Sequence, residues 1–267
     1  MLLRGERGAA RSRALVEAFR PLPSASAHSL VITGFGAFPT APRNATAEMI
    51  AAIARDANIT MKRPVFAAPD FLVGRGAIGD ARVSLMVLPV LWDAAAALLA
   101  AEARATRASV VVMCGIASKI SAITIEGFAT SARRILKDRF GVRPAFSRGA
   151  VRSRKTTFDT EIARAAAEAA LAREGLAAMG VACRELEENN NYVCNATAHV
   201  ASTLAVRSAR VLRSSGAPEG VRAPRISASH GFVHWPADIP PERVDACARV
   251  LAAMASALIA KRVAGAA

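Results

Sequence analysis

Short runs of mostly apolar residues recur along the chain and predict β-strands. They cover residues 29–34, 82–90, 108–113, 122–129, 181–186 and 225–234. The runs at 29–34 and 108–113 contain few polar residues, which is typical of strands with both faces buried. Residues 58–80 follow neither the helical nor the strand period clearly, and we expect a turn at 74–79, where glycines cluster.

Alanine-rich segments of helical character separate these strands. They cover residues 45–56, 92–106, 159–173, 194–213 and 240–263. Asn44 is expected to cap the first helix, and Pro240 or Pro241 to open the last. Strands that alternate with helices predict a mainly parallel sheet with helices on both faces. We therefore expect an α/β fold: a single-domain three-layer α/β/α sandwich around a mostly parallel twisted sheet.

The first 28 residues differ from the rest of the chain. Arginines recur between residues 4 and 20, and a stretch rich in proline, serine and alanine follows at 21–27, as is typical of linkers. We interpret 1–28 as a flexible basic extension and 29–267 as the α/β domain. An organellar address is the alternative interpretation of such an arginine-rich, acid-poor leader.

Composition and charge narrow the class of protein. Charged residues interrupt every apolar run well before the roughly 20 residues of a membrane span, so we expect no membrane association. The formal net charge is +14, but the cationic residues are nearly all arginine and much of the excess lies at 4–20 and 133–154. This distribution favours a basic solvated surface over specific nucleic-acid binding. Four scattered cysteines without a secretory signal predict free thiols in a reducing, cytoplasmic compartment.

Three residues with catalytic potential fall at or near the ends of predicted elements. Cys194 opens a helix after a polar run, a position that favours the thiolate form. His234 lies at the end of the last strand, and Glu126 interrupts an apolar strand, where an acid needs a partner or solvent. A thiol nucleophile needs a base, an acid that orients the base helps it, and helix-start amides suit an oxyanion. Each residue taken alone also has a purely structural explanation.

Two further features bear on the kind of site: the spacing of possible metal ligands, and two aromatic residues after the first strand. No ligand spacing such as C-x-x-C or H-E-x-x-H is present, although His230 and His234 share one face of a strand, so we expect no metal and no other cofactor. The loop after the first strand carries Phe35 and Phe38. These two aromatic residues either wall a small pocket or plug the core beneath the loop.

Several segments, in matching order and spacing, resemble the pyroglutamyl peptidase I family, cysteine peptidases that remove N-terminal pyroglutamate. They are VITGFGAF (31–38), GIAS (115–118), ITIE (123–126), YVCN (192–195) and GFVHWP (231–236). GIAS and ITIE stand where the family has Gly-Gln-Ala-Gly and Ile-Thr-Pro-Glu, with the glutamate at the same distance from the glycine. The similarity extends over most of the chain after the basic extension.

The resemblance implies a hydrolase that acts on peptides with a blocked N-terminus. In this family pattern Cys194 is the nucleophile, His234 is the general base and acid, and Glu126 orients His234. The family has an open α/β/α sandwich that is often tetrameric, so the resemblance also implies a dimer or tetramer. The alternative is a non-catalytic or substrate-shifted relative that binds a small ligand in the same crevice.

The resemblance also implies the residues that bind the substrate. Phe35, Phe38 and Tyr192 match aromatic walls around the lactam ring, and Asn44 matches an asparagine that supports the first loop. Ile116 occupies the position of a glutamine that hydrogen-bonds near the ring. An alkyl group cannot replace that amide, so this substitution predicts weaker discrimination in favour of the lactam.

Overall fold

Nine strands and five α-helices make up the described part of a computed structural model, namely residues 28–64, 70–78, 81–92, 94–130, 138–143, 153–184, 192–201 and 228–264. The strands are β1 (Ser29–Phe35), β2 (Leu72–Ile78), β3 (Ala81–Leu88), β4 (Val110–Ala117), β5 (Ile123–Glu126), β6 (Phe128–Thr130), β7 (Ser153–Lys155), β8 (Val181–Arg184) and β9 (Ser229–Pro236). The helices are α1 (Ala45–Asp56), α2 (Ala94–Ala105), α3 (Thr160–Arg173), α4 (193–201, its described part) and α5 (Val244–Ala264), with 3-10 helices at Ala177–Met179 and Pro241–Arg243. Except for His28, the basic extension predicted at 1–28 lies outside the described residues, as does the predicted helix beyond 201.

Seven of these strands form one sheet in the order β2-β3-β1-β4-β9-β5-β8. Four neighbouring pairs are parallel: β1 with β3, β1 with β4, β4 with β9, and β5 with β8. The pairs β2 with β3 and β5 with β9 are antiparallel. The predicted mostly parallel sheet is therefore confirmed, with antiparallel pairing near its two edges.

Helices cover both faces of the sheet. Side chains alternate along each strand, so successive residues pack against helices on opposite faces. On one face, Ile32 of β1 packs with α1, α3 and α5 in what we call the first core cluster. On the other face, Val31 and Met113 pack with α2 and α4 in the second core cluster. The three-layer sandwich is confirmed. No helix within the described ranges is long and apolar enough to span a membrane.

The expected turn at 74–79 is wrong for its described part. Gly74 and Gly76 lie inside β2, which runs antiparallel to β3. A Cβ atom at Gly76 would come within 2.6 Å of the Ile59 side chain, and one at Gly74 within 2.7 Å of Met61. These glycines allow the segment after α1 to cross β2 closely, so their role is close approach and not reversal of the chain.

The single strand predicted at 122–129 is two strands in different sheets. β5 belongs to the central sheet, whereas β6 pairs with β7 in a separate two-stranded sheet. Gly127 lies between them, where its N–H donates to the carbonyl of Arg184 and its carbonyl accepts from the N–H of Thr156. Apolar residues continue across this junction, so the hydrophobic pattern alone did not reveal it.

A buried ion pair connects α2 to β2. The Glu102 side chain is fully buried, and Arg75 donates to both of its carboxylate oxygens at 2.8 and 2.7 Å. Ser84 donates a third hydrogen bond to the same carboxylate. Arg75 and Ser84 thus compensate the buried negative charge of Glu102 on the face of the sheet that α2 covers.

Replacing Arg75 by methionine is expected to lower the free energy of unfolding by about 3 kcal/mol, because Glu102 would keep a buried charge without its partner. Urea denaturation measures the effect. Arg55→Met is the matched control, since the ion pairs of Arg55 with Asp56 and Asp245 are exposed and contribute little. Equal midpoints for the two variants would contradict the assignment.

Candidate active site

Cys194 lies at the start of α4, as expected, since the helical residues begin at 193. Its side chain is half-buried at the border of the second core cluster. A Cβ atom at Gly115 of β4 would lie 3.6 Å from the Cβ of Cys194 and 3.0 Å from the ring of Phe232. Glycine at this position therefore lets the cysteine sit directly over the end of β4.

His234 lies beside this glycine. Near the carboxyl end of β9, it is in register with Gly115 on one side and with Thr124 of β5 on the other. The imidazole is 4% exposed and packs against the ring of Phe232, with centroids 4.7 Å apart. The sheet register thus holds the imidazole next to Cys194 without any loop.

Glu126, the last residue of β5, completes the arrangement. Its side chain is 1% exposed, and its Oε1 lies 2.7 Å from Nδ1 of His234. The two residues are 108 positions apart in the chain, and the antiparallel pairing of β5 with β9 brings them together. A carboxylate bonded to Nδ1 selects the tautomer that leaves Nε2 for another partner.

The pKa of His234 reflects both neighbours. Burial lowers it, but hydrogen bonds to the side chains of Cys194 and Glu126, together with the charges of those groups, outweigh burial and raise the pKa to about 9. His230, four residues earlier on the same strand, shows burial without acidic neighbours, and its pKa is lowered. The imidazole of His234 therefore carries its proton at neutral pH. The structure brings Cys194, His234 and Glu126 into one hydrogen-bonded series.

Aromatic side chains gather next to Cys194. Tyr192 immediately precedes α4 and contacts Phe38 at a centroid distance of 6.0 Å and Trp92 edge-on at 5.5 Å. Burial, followed by the charges of Asp138 and Cys194, raises the pKa of the Tyr192 phenol to about 12. The hydroxyl group therefore stays protonated at neutral pH.

Trp92 and Asp138 were missed by sequence reasoning. Trp92 was included only as the start of a helix, although an aromatic residue just beyond a strand of a parallel sheet is a signal for a crevice. Asp138 accepts the backbone N–H groups of Phe140 and Val142 at 3.0 and 2.9 Å. Its other oxygen lies 3.4 Å from the backbone nitrogen of Trp92. This contact holds the loop at 138–143 next to Trp92.

The remaining predicted site residues lie at different distances from the cysteine. Asn44 caps α1 as predicted, with Oδ1 accepting from the N–H of Thr46, and its Nδ2 donates to the carbonyl of Gly36 at 3.0 Å. It holds the first loop in place and is itself buried. Phe35 is 3% exposed within the second core cluster, so it lies beneath the loop, whereas Phe38 meets Tyr192.

Ile116 lies on the opposite side of the sheet from Cys194. It packs against the first core cluster, while Gly115, one residue earlier, faces Cys194. The structure does not bring the Ile116 side chain to the cysteine. In the described part of the chain, no group of three or more His, Cys, Asp or Glu side chains is arranged to hold a metal ion.

Comparison with protein-family models and with curated protein sequences finds no match. Solved structures do match. Pyroglutamyl peptidase I from Bacillus amyloliquefaciens aligns with a TM-score of 0.59 and 18% identity over 87% of this chain and 95% of that chain. A mutant pyrrolidone carboxyl peptidase from the hyperthermophile Pyrococcus furiosus aligns with a TM-score of 0.56 and 18% identity over 87% and 99% of the two chains. This chain has their fold.

The shared fold agrees with the open α/β/α sandwich that the segment resemblance implied. Coverage of nearly the whole of both solved chains means that the likeness is not confined to one supersecondary unit. At 18% identity it establishes the architecture and leaves the chemistry to the site itself.

Proposed function

We propose that the protein is a cysteine peptidase that removes an N-terminal pyroglutamyl group, or a closely related cyclic acyl group, from peptides. The observation that carries the proposal is the series in which Cys194 hydrogen-bonds to His234, and His234 to the buried Glu126. A nucleophile, a base and an orienting acid in this order are the parts that acyl transfer by a thiol requires. The fold shared with pyroglutamyl peptidase I supports the same assignment.

The mechanism follows from the charges at the site. The Cys194 thiolate attacks the acyl carbonyl, and the imidazolium of His234 gives its proton to the leaving amine, so the C–N bond breaks and a thioester forms. A water molecule then loses a proton to His234 and attacks the thioester. The thiolate leaves, and the free acid is released. Glu126 stabilises the imidazolium in both steps through Nδ1.

The acyl group is expected to pack in the aromatic group formed by Phe38, Trp92 and Tyr192. Aromatic walls favour a flat ring, and the Tyr192 hydroxyl offers one polar contact beside Cys194. Because the Ile116 side chain packs on the other face of the sheet, it provides no hydrogen bond to a lactam. A related cyclic or N-acylated terminus is therefore the second substrate class to test.

Hydrolysis of fluorogenic amides tests the proposal. The pyroglutamyl amide is expected to be cleaved, the prolyl amide with its free amine to resist cleavage, and iodoacetamide to stop the reaction by modifying Cys194. Cys183, which is exposed, is the internal control for ordinary thiol reactivity. If Cys194 is alkylated faster than Cys183 but no pyroglutamyl amide is cleaved, the substrate class is wrong. If both react at the same slow rate, the hydrolase itself is refuted.

The pH profile has an expected upper limit. Amide hydrolysis should fall above about pH 9, where the raised pKa of His234 is passed and the leaving amine loses its proton donor. Alkylation of Cys194 should not fall there, because it needs only the thiolate. The same raised pKa contributes stability that is complete below the unfolded value of about 6.5 and is lost as pH rises through about 9. The rates of amide hydrolysis and of Cys194 alkylation, measured side by side from about pH 6 to 10.5, test this difference. A fall of both rates over the same pH range would contradict it.

A further inference from the structure

The carboxylate of Glu126 is buried, and one of its two oxygens lacks a hydrogen-bond partner among the described residues. It is 1% exposed, Oε1 has His234 as its partner, and Oε2 is buried without a hydrogen-bond partner among the described residues. Burying a carboxylate is costly unless hydrogen-bond donors or a nearby positive charge compensate it. The negative charge of Glu126 is what would stabilise an imidazolium at His234. Glu126 therefore needs compensating positive charge close to it.

A second cation, besides His234, approaches Glu126 from the edge of the sheet. Arg184 is in register with Glu126 in the parallel pair β5 and β8, and in-register neighbours on adjacent strands project to the same side. Its Nη1 lies 3.7 Å from Oε1 of Glu126, the oxygen that binds His234. The N–H of Gly127 donates to the carbonyl of Arg184 at 2.7 Å, which holds the two strand ends together.

Among the described residues, the charges around Glu126 balance once Arg184 is included. With Cys194 as thiolate and His234 as imidazolium, Glu126 leaves the hydrogen-bonded series with a net charge of −1. The guanidinium of Arg184 restores neutrality. Its side chain is 37% exposed, so it brings this charge without being buried itself.

We propose that Arg184 is a positioning residue of the site: from β8 its guanidinium compensates the buried charge of Glu126, and through Glu126 it keeps the imidazole of His234 in its working orientation. The proposal rests on the proposed function, and it adds a fourth residue from an edge strand, outside the segments that resemble the family. In this role Arg184 acts on the reaction through the carboxylate of Glu126.

The other charged groups near Arg184 do not replace it. Arg184 lines a cavity of about 370 Å³ together with Lys155, Asp159 and Glu161. Among the described residues, the ion pairs of Glu126 are those with Arg184 and His234. Lys155 lies on the same cavity without such a pair, which makes it a matched control.

Arg184→Gln is the decisive variant. Removing the positive charge should move the acid limb of the kcat/KM profile upward by roughly one pH unit, and lower kcat at pH 7 about tenfold with KM little changed. Arg184→Lys should restore most of both values, and Lys155→Met should leave the profile as in the wild type. A wild-type pH profile for Arg184→Gln would overturn the proposal, as would an equal shift for Lys155→Met.

A second readout separates this proposal from the choice of substrate. The pH dependence of iodoacetamide alkylation at Cys194 requires no substrate, and its acid limb should also move upward in Arg184→Gln. If the wild type cleaves no pyroglutamyl amide but the alkylation limb shifts, the substrate is wrong and the role of Arg184 stands. If Arg184→Gln does not fold, Arg184→Lys decides. Because lysine keeps the positive charge, the acid limb of its alkylation profile should match the wild type, and a shifted limb would refute the charge argument.

Discussion

Replacing Cys194 by serine is expected to lower kcat/KM for a pyroglutamyl amide roughly 10⁴-fold, because a hydroxyl group does not ionise beside His234 as a thiol does. In the proposed mechanism the thiolate is the attacking species, and its interaction with His234 raises the pKa of that imidazole. Serine has nearly the same volume as cysteine, so packing above Gly115 is retained. Residual activity after stringent removal of wild-type enzyme measures the effect.

The control for Cys194→Ser is Cys183→Ser. Cys183 is exposed on β8, and its replacement removes a thiol without touching the hydrogen-bonded series. The control should keep wild-type activity and should still lose that activity on treatment with iodoacetamide. Retention of more than a tenth of the activity by Cys194→Ser would show that another group is the nucleophile.

Replacing Glu126 by glutamine is expected to lower kcat about 10³-fold. The amide keeps the shape of the side chain, but it removes the negative charge that faces Nδ1 of His234 at 2.7 Å. Because the imidazolium loses this stabilisation, the pKa of His234 should fall and the upper limb of the pH profile should move to lower pH. Steady-state kinetics from pH 5 to 10 report both changes.

Glu102→Gln is the matched control for Glu126→Gln, since Glu102 is an equally buried acid that pairs with Arg75 and not with His234. The control should lose stability while the folded fraction keeps its kcat. Unfolding midpoints of all three proteins distinguish the two effects. If Glu126→Gln lost only stability and kept kcat, Glu126 would be a structural acid.

Local sequence patterns were sufficient for most of the secondary structure. The runs that predicted β1, β3 and β4 and the segments that predicted α1 and α3 match the observed elements within a few residues. Asn44 caps α1 and Asp159 caps α3 through bonds to N–H groups two or three residues away. Such signals are readable because both partners lie within one turn of chain.

Patterns that depend on distant segments were not readable in this way. The glycines of β2 resembled a turn, yet their role is set by Ile59 and Met61, which cross that strand. Phe35 and Ile116 resembled pocket residues, but the former lies in the core and the latter faces the first core cluster. Which face a side chain meets depends on the position of its strand in the sheet.

The same distinction between local patterns and contacts of distant segments applies to the candidate site. The sequence by itself determined the α/β class, the positions of Cys194 and His234 at element ends and of Glu126 within an apolar strand, and the resemblance that suggested their roles, since each depends on short stretches of chain. Only the tertiary structure decided that these three side chains meet, that Trp92 packs against Tyr192 with Asp138 beside its backbone nitrogen, and that Arg184 faces Glu126. The reason is strand register: the pairings of β5 with β9 and β8 align residues far apart in sequence, and no local pattern encodes which strands become neighbours.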